Sequence, residues 1–399
     1  MPTSPSFDCV VIGGGPAGAT AATELARAGH SVLLLDRAGR IKPCGGAIPP
    51  KLIEEFAIPS ALLVARATAA RMVSPSGRSV DMPIRCGFVG LVDRESFDEW
   101  LRERARGAGA VRCSGEFEHL ARDADGAACI EYRSNAAEPG AAPQRVRACV
   151  VIGADGAHSR LARQCVPGAQ GMRHVFAYHE VVRAPAAVHA SYQGSRCDIF
   201  YDGRLSPDFY AWVFPHGATA SVGVGSARRG FSLRRATLAL RTAAGLESVE
   251  TVRCEGAPIP LAPLPRWDNG RDVLLAGDAA GVVAPASGEG IYYAMTSGRL
   301  AAQAAGEFLV SGDARALARA RRRFMRAHGR VFFILRILQR FWYSSDARRE
   351  RFVSLCRDRD IQQLTWEAYL HKRLVRARPL AHVRIFLKDL GHLLGWVAP

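Results

Sequence analysis

Lysine is nearly missing from this chain: of 53 basic residues only Lys42, Lys51, Lys372 and Lys388 are lysine, and the rest are arginine. With the abundance of alanine, this fits a bias toward arginine and alanine codons, which carries no function. Codon bias does not explain where the charge sits. The formal net charge is +16, and the stretch from Asp313 to the C-terminus holds 20 Lys and Arg against 7 Asp and Glu, so most of the excess belongs to the tail. Uncharged apolar runs of the roughly 18 residues that a spanning helix needs are also missing. The ten cysteines show neither C-x-x-C nor metal-type spacing, which argues against a disulfide framework and a metal site. No cationic leader or cleavage site precedes the first strand-like run. These absences predict a reduced, cytoplasmic chain, soluble or peripheral on a membrane. There is no internal repeat.

What is present begins at Asp8-Cys-Val-Val-Ile-Gly13-Gly-Gly15-Pro-Ala17-Gly18, followed by an alanine-rich helical run and then Ser31-Val-Leu-Leu-Leu-Asp36-Arg37. A G-x-G-x-x-G alone says little. Between a buried strand and a helix, with an acid closing the next strand, it predicts a dinucleotide turn. Gly13 permits the tight turn, Gly15 lets a pyrophosphate approach the backbone, and Gly18 allows close helix–strand packing. Asp36 is placed to accept hydrogen bonds from an adenosine ribose.

The second signal lies far along the chain. Leu275-Ala-Gly277-Asp278-Ala-Ala-Gly281 through Ser287-Gly288-Glu289-Gly290-Ile291-Tyr292 reads as a strand, a glycine-studded turn and a helix start. Small residues let backbone N–H groups approach a ligand, and one fixed carboxylate can hold a hydroxylated chain. The N-terminal turn does not separate FAD from NAD. This distant contact region does, because a ribityl chain needs one, and the cofactor expected is FAD.

Strand-like Val32–Leu35 and Cys149–Ile152 belong with the nucleotide fold, while Cys197–Tyr201, Tyr210–Phe214 and Ala220–Val224 alternate as half-buried antiparallel strands. The class is therefore α/β. A discontinuous Rossmann-like FAD-binding domain is expected over 1–65, 91–171 and 261–312, an inserted antiparallel-sheet substrate domain over 66–90 and 172–260, and a basic helical extension over 313–399. The Ala/Pro/Gly segment Asn135–Pro143 reads as a hairpin tip or loop. Three further patches stand out, each with a plainer alternative. Gly153-Ala-Asp155-Gly156 puts an acid in a glycine turn, as a cofactor contact or a simple turn residue. Arg94, at a helix start, suits a phosphate or pairs with Glu95 or Asp98. Cys44, in Lys42-Pro-Cys44-Gly45-Gly46-Ala-Ile-Pro49, is a reactive thiol or a buried small hydrophobe.

In this order the motifs resemble the FAD-dependent group that includes aromatic hydroxylases, and within it the geranylgeranyl reductases of the chlorophyll and bacteriochlorophyll branch. The resemblance runs from about Phe7 to the C-terminus. Its specific parts are the Lys42–Pro49 turn, the Tyr201-Asp-Gly-Arg-Leu-Ser-Pro-Asp-Phe-Tyr210-Ala-Trp212-Val-Phe214-Pro215 run and the Gly277–Tyr292 segment. Hydroxylases typically carry His where Gly281 stands.

The resemblance implies hydrogenation of a geranylgeranyl chain to phytyl, on a pigment ester or on the free diphosphate, with FAD as cofactor, NADPH as reductant and ferredoxin as a rival donor. No second glycine-rich turn exists for NADPH. FAD contacts are implied for Gly13, Gly15, Ala17, Gly18, Asp36, Arg37, Cys44, Gly45, Gly46, Arg94, Asp155, Gly156, Gly277, Asp278, Gly288, Gly290 and Ile291. Cys44 is the leading candidate to place or protonate the alkene, ahead of Glu289. Tyr210, Trp212 and Phe214 fall on one strand face by the period of two, as an apolar wall for a polyprenyl chain or as core. In the tail, Val331–Tyr343 and Val383–Trp396 mix aromatics, aliphatics and periodic cations, which suits helices lying on an anionic membrane surface or packed on the domain. An aromatic monooxygenase is the alternative function. Nucleic-acid binding is not expected, since the basic residues are interleaved with Phe, Ile and Leu at helical spacing.

Overall fold

In the computed structural model, which describes residues 5–37, 41–138, 141–185 and 191–372, the continuous apolar runs of the sequence form a parallel sheet. Strand Ser6–Ile12 lies between Val32–Asp36 and Gln144–Gly153, parallel to both, with Val10 opposite Leu33 on one side and Val151 on the other. Val273–Leu275 continues the sheet beyond Gln144–Gly153. Cys9 to Ile12, Val32 to Leu35, Val150 to Ile152 and Val273 to Leu275 are all buried. Burial on both faces explains why these strands do not alternate. The first residues of Val111–Arg122 pair parallel with Val32–Asp36, and the rest of that strand turns into an antiparallel meander with Ala128–Ser134 and Gln144–Gly153. The Asn135–Pro143 segment joins the last two strands as a hairpin connection.

This sheet belongs to one of two units into which the chain divides, made of Met1–Lys42, Arg94–His174 and Pro258–Phe333. Its helix Pro16–Arg27 opens with proline at the first turn, where a missing N–H costs nothing. Helices Arg94–Gly107 and Ile291–Ser311 pack against it.

The second unit comprises Pro43–Asp93, Val175–Ala257 and Ile334–Pro399. Residues 43–65 cluster here, although the sequence groups them with the nucleotide-binding part, and the 313–399 region is divided at Phe333. The sheet runs in the order Thr251–Pro260, His174–Arg183, Thr219–Ser226, Ala211–His216, Arg196–Phe200, Ala69–Val73, Ser79–Pro83. Neighbours are antiparallel around Ala211–His216, but Arg196–Phe200 joins Ala69–Val73 in parallel. The strands expected to be half-buried are covered more fully than that. Helix Leu233–Ala243 lays Ala236 and Leu240 on the face carrying Ala211, Val213, Val222 and Val224, while Trp212 and Tyr210 are buried on the other.

The helices after Ser345 are built into this second unit. Leu370, Trp366 and Tyr369 of Arg359–His371 pack with Ile84, Val89 and Leu91. Glu350 of Asp346–Leu355 accepts hydrogen bonds from the hydroxyls of Ser74 and Ser76 at 3.0 and 2.8 Å. All ten cysteines are free. No described helix is long and apolar enough to cross a membrane. The expected interfacial run Val383–Trp396 lies outside the described residues.

Candidate active site

The N-terminal turn is dictated by what glycine alone tolerates. Gly13 has φ +103°, and a Cβ there would stand 2.4 Å from the Ala154 carbonyl oxygen. A Cβ on Gly18 would stand 1.9 Å from the Gly13 carbonyl oxygen, so helix and strand touch backbone to side. Gly15 is different, because a Cβ there would meet nothing within 4 Å. It faces open space at the N-terminus of Pro16–Arg27, where the first-turn N–H groups have no partner within the helix and favour an anion. Asp36 closes the next strand. Burial pushes its carboxyl above the usual range, against the pull of the Gly14 N–H and of Arg102, whose guanidinium lies 3.2 Å away.

Ala17 joins this turn to the distant segment. A Cβ on Gly277 would stand 2.7 Å from the Ala17 Cβ, and one on Gly298 only 2.2 Å from the Ala17 carbonyl oxygen. The Gly277 N–H donates to Ser297 Oγ at 2.9 Å, pinning the strand end to helix Ile291–Ser311. Asp278 is buried and paired with Lys42. Gly290 caps that helix, with the Asp278 carboxylate 3.9 Å from where its Cβ would be, and Ile291 is buried behind it. Gly288 has φ +64°. Gly281 has φ +79° and would drive a Cβ to 2.3 Å from the Ala262 carbonyl oxygen, so the backbone itself rejects the histidine found there in hydroxylases.

The helix N-terminus at Gly15, which has no side-chain cap and faces open space, the carboxylate closing the second strand and the buried carboxylate of Asp278 in the same unit form a donor and acceptor set that fits FAD. The remaining expected contacts are held by nearby partners. Arg94 is buried and grips Asp98 through two bonds of 2.8 and 2.6 Å, the plainer of its two readings. Asp155 accepts from Ser159 Oγ at 2.6 Å and from the Arg160 N–H at 2.8 Å, and burial pushes its carboxyl upward. Gly156, at φ +87°, makes the turn, and Arg37 pairs with Glu116 at 3.2 Å. Sequence reasoning missed Arg102 and the Lys42 partnership with Asp278. Neither carries a local signal, since both pair with groups remote in sequence.

In the second unit the structure brings the Cys44 turn onto the aromatic strand. A Cβ on Gly45 would stand 2.9 Å from the Phe214 ring and 3.7 Å from Trp212 Nε1, and one on Gly46 would stand 2.7 Å from His216 Nε2. The Gly46 N–H points at Cys44 Sγ over 3.4 Å, and the half-buried thiol sits in this turn. Tyr210, Trp212 and Phe214 line one face, with ring centroids 6.0 and 6.4 Å apart in succession. Trp212 lies flat on Gly223, where a Cβ would stand 2.3 Å from its ring. His216 was not anticipated. Burial pushes its imidazole below the ordinary value, so it is held neutral beside the Cys44 turn.

Residues 7–116 match the family model described as pyridine nucleotide-disulphide oxidoreductase. The geranylgeranyl diphosphate reductase of Rhodobacter capsulatus is 56% identical over 393 residues, covering 98% of this chain and 99% of the relative. This chain belongs to the geranylgeranyl diphosphate reductase family. The family's chloroplastic member from Oryza sativa is 35% identical, over 99% of this chain and 88% of its own length. Among solved structures, a geranylgeranyl bacteriochlorophyll reductase-like protein from Thermoplasma acidophilum shares the fold, with a TM-score of 0.81 at 21% identity over 95% of this chain and all of that one. Full-length matches of this kind make the chain an oxidoreductase and favour the reductase over the aromatic monooxygenase. Of the motifs that carried the resemblance, the Cys44 turn and the Trp212 strand pack together in the second unit, and the Asp278 segment joins the Gly13–Gly18 turn in the first.

Proposed function

We propose that this protein is an FAD-dependent reductase that hydrogenates a geranylgeranyl chain to phytyl, on geranylgeranyl diphosphate or on the (bacterio)chlorophyll ester, with NADPH as reductant. The observation that carries this reading is the packing of the Cys44 turn across Trp212 and Phe214 in a chain that matches the reductases over its whole length. Saturating an isolated alkene takes a hydride on one carbon and a proton on its neighbour. Reduced FAD supplies the hydride, which no side chain can give. Cys44 holds the proton at Sγ, and Tyr210, Trp212 and Phe214 confine an apolar chain that offers no polar handle. Gly13, Gly15, Ala17, Gly18, Asp36, Gly277, Asp278, Gly290 and Ile291 hold the cofactor. The Gly45–Gly46 backbone, pressed against Phe214 and His216, fixes the thiol and excludes water.

The test is anaerobic. FAD-loaded protein with NADPH is offered geranylgeranyl diphosphate and, separately, the geranylgeranyl pigment ester, and the products are weighed by mass spectrometry. Stepwise gain of hydrogen pairs, ending with one double bond, is expected from at least one substrate. No gain from either, with NADPH or with reduced ferredoxin, overturns the reading. The two donors differ in whether the flavin bleaches.

The membrane part of this proposal rests on helix Ala318–Trp342. Phe333, Ile334, Ile337 and Leu338 are exposed on it, Phe333 by 55% and Ile337 by 50%, and they form an apolar stripe bordered by exposed Arg330, Arg336 and Arg340. That pairing suits the interface of an anionic bilayer, where a substrate with a long polyprenyl tail resides. In vesicle flotation, binding to anionic vesicles is expected to exceed binding to neutral ones, and Phe333→Ser with Ile337→Ser to reduce it at least fivefold. Equal flotation with both lipids counts against it.

A further inference from the structure

Trp212 carries one polar atom, an indole N–H that can only donate. It donates to Ser221 Oγ at 3.1 Å. Ser221 Oγ lies 2.9 Å from His179 Nδ1, and His179 Nε2 lies 2.9 Å from Glu255 Oε2. Arg253 Nε sits 2.8 Å from the other oxygen of Glu255, and the Arg253 guanidinium reaches on to Asp93 at 3.5 Å. Ser221 and His179, 2 and 3% exposed, lie in the interior of the second unit, and the line reaches partly exposed Arg253 and Asp93 at its far end. Burial opposes ionisation of Glu255, yet the bond from His179 and the neighbouring charges hold its carboxyl below the usual range.

Two directions are fixed from the ends: the Trp212 indole N–H can only donate to Ser221 Oγ, and an ionised Glu255 can only accept, so His179 Nε2 carries a hydrogen toward it. Between them Ser221 Oγ and His179 Nδ1 share one hydrogen bond. Trp212, Ser221 and His179 each have a partner for their side-chain polar atoms, and each bond polarises the next, while Arg253 Nε stands beside Glu255 as a charge without a hydrogen bond. The line ends on the middle ring of the aromatic wall. Gly223 beneath Trp212 supplies no side chain to hold the ring in place, because a Cβ there would stand 2.3 Å from the indole and 2.5 Å from the His179 Cβ. The hydrogen bond to Ser221 adds a directional contact to the rings of Tyr210, Phe214 and His179 packed around the indole.

We propose that Ser221, His179 and Glu255 are positioning residues that lock the Trp212 indole, and so set which double bond of the polyprenyl chain is presented for reduction. This rests on the reading of Tyr210, Trp212 and Phe214 as the substrate wall. Along a flexible chain of repeated, chemically alike double bonds no polar group tells one from the next, so beyond what holds the head group its register depends on the shape and rigidity of that wall.

The experiment separates the two claims. The ¹⁵N indole resonance of Trp212, assigned by its loss in Trp212→Phe, reports the lock without any substrate. Its N–H exchange is expected to quicken at least tenfold in Ser221→Ala and Glu255→Ala, and less in Glu255→Gln, whose amide oxygen still accepts from His179. Unchanged exchange in both alanine variants overturns the lock. With geranylgeranyl substrate, the same variants, matched for FAD content and circular dichroism, are expected to raise KM at least fivefold. They should accumulate partly reduced chains while kcat for the first reduction stays within twofold. Quickened exchange with unchanged product distribution would sink the register role and keep the lock. An unchanged product pattern in Trp212→Phe would instead remove the substrate-wall reading.

Discussion

Replacing Cys44 by alanine is expected to lower the rate of alkene reduction by about 10²- to 10⁴-fold, the range that a positioned proton donor contributes, while the purified protein keeps its FAD. The two halves of that expectation come from different places in the chain. The proposed cofactor cradle draws on Gly13, Gly15, Ala17, Asp36 and the Gly277–Ile291 segment, all in the first unit, and none of their described contacts uses Cys44. The thiol belongs to the second unit, in a turn whose backbone is held by Phe214, Trp212 and His216 through the missing side chains of Gly45 and Gly46. Those contacts survive the substitution, so the turn keeps its path. Flavin reduction by the donor, followed at the flavin absorbance, should therefore proceed at the wild-type rate while transfer to the alkene stalls. Cys44→Ser keeps a hydroxyl proton in the same place and is expected to recover part of the loss. Wild-type turnover in Cys44→Ala would make Cys44 a packing residue and remove its proton-donor role.

The contrast between Cys44 and its surroundings marks the boundary of what the sequence reveals. The dinucleotide turn is legible because its requirements are local: Gly13 needs a positive φ, Gly18 needs no side chain, and the strands on either side are apolar throughout. The Gly277–Ile291 segment is legible for the same reason. Arg94 and Asp155 show the limit of reading by type. Both make close local bonds, Arg94 to Asp98 and Asp155 to the Ser159–Leu161 helix start, which the residue types alone do not reveal. What lies wholly beyond one-dimensional reading are pairs formed by folding. Lys42 with Asp278, Arg102 with Asp36, and the line from Trp212 through Ser221 and His179 to Glu255 join residues from separate strands and helices. The nearest thing to a signal is the tryptophan itself, since a buried indole N–H must find an acceptor. The sequence names the donor and leaves the acceptor open.

The C-terminal helices carry the same lesson with a larger energetic consequence. Their arginines read as the charged faces of a peripheral tail, yet Arg349 is 3% exposed. Its guanidinium donates to the carbonyl oxygens of Ser206, Pro207 and Tyr343, and pairs with Asp346 at 2.6 Å. Asp346 in turn accepts the Gly203 N–H at 2.9 Å, and Tyr201 packs its ring against Tyr343 and Phe352 with centroids 5.3 and 4.9 Å away. The Tyr201–Tyr210 loop, which leads into the aromatic wall, is thus clamped by helix Asp346–Leu355. Removing the guanidinium takes the donor from three carbonyls at about 1–3 kcal/mol each, while the pair with Asp346, whose side chain is 51% exposed, adds little. Arg349→Ala is therefore expected to lose stability of that order in chemical unfolding and to be nicked by protease near Ser344. FAD binding should outlast reductase activity, because the cradle does not use this helix. Arg349→Lys keeps the charge but not the fork that holds Asp346 through Nη1 and the carbonyls through Nη2 at once, so it should fall between. A loss below about 1 kcal/mol in Arg349→Ala, the range of an ordinary surface substitution, would show that the loop holds its shape without the clamp, and the C-terminal helices would then be an attachment to the substrate wall instead of its support.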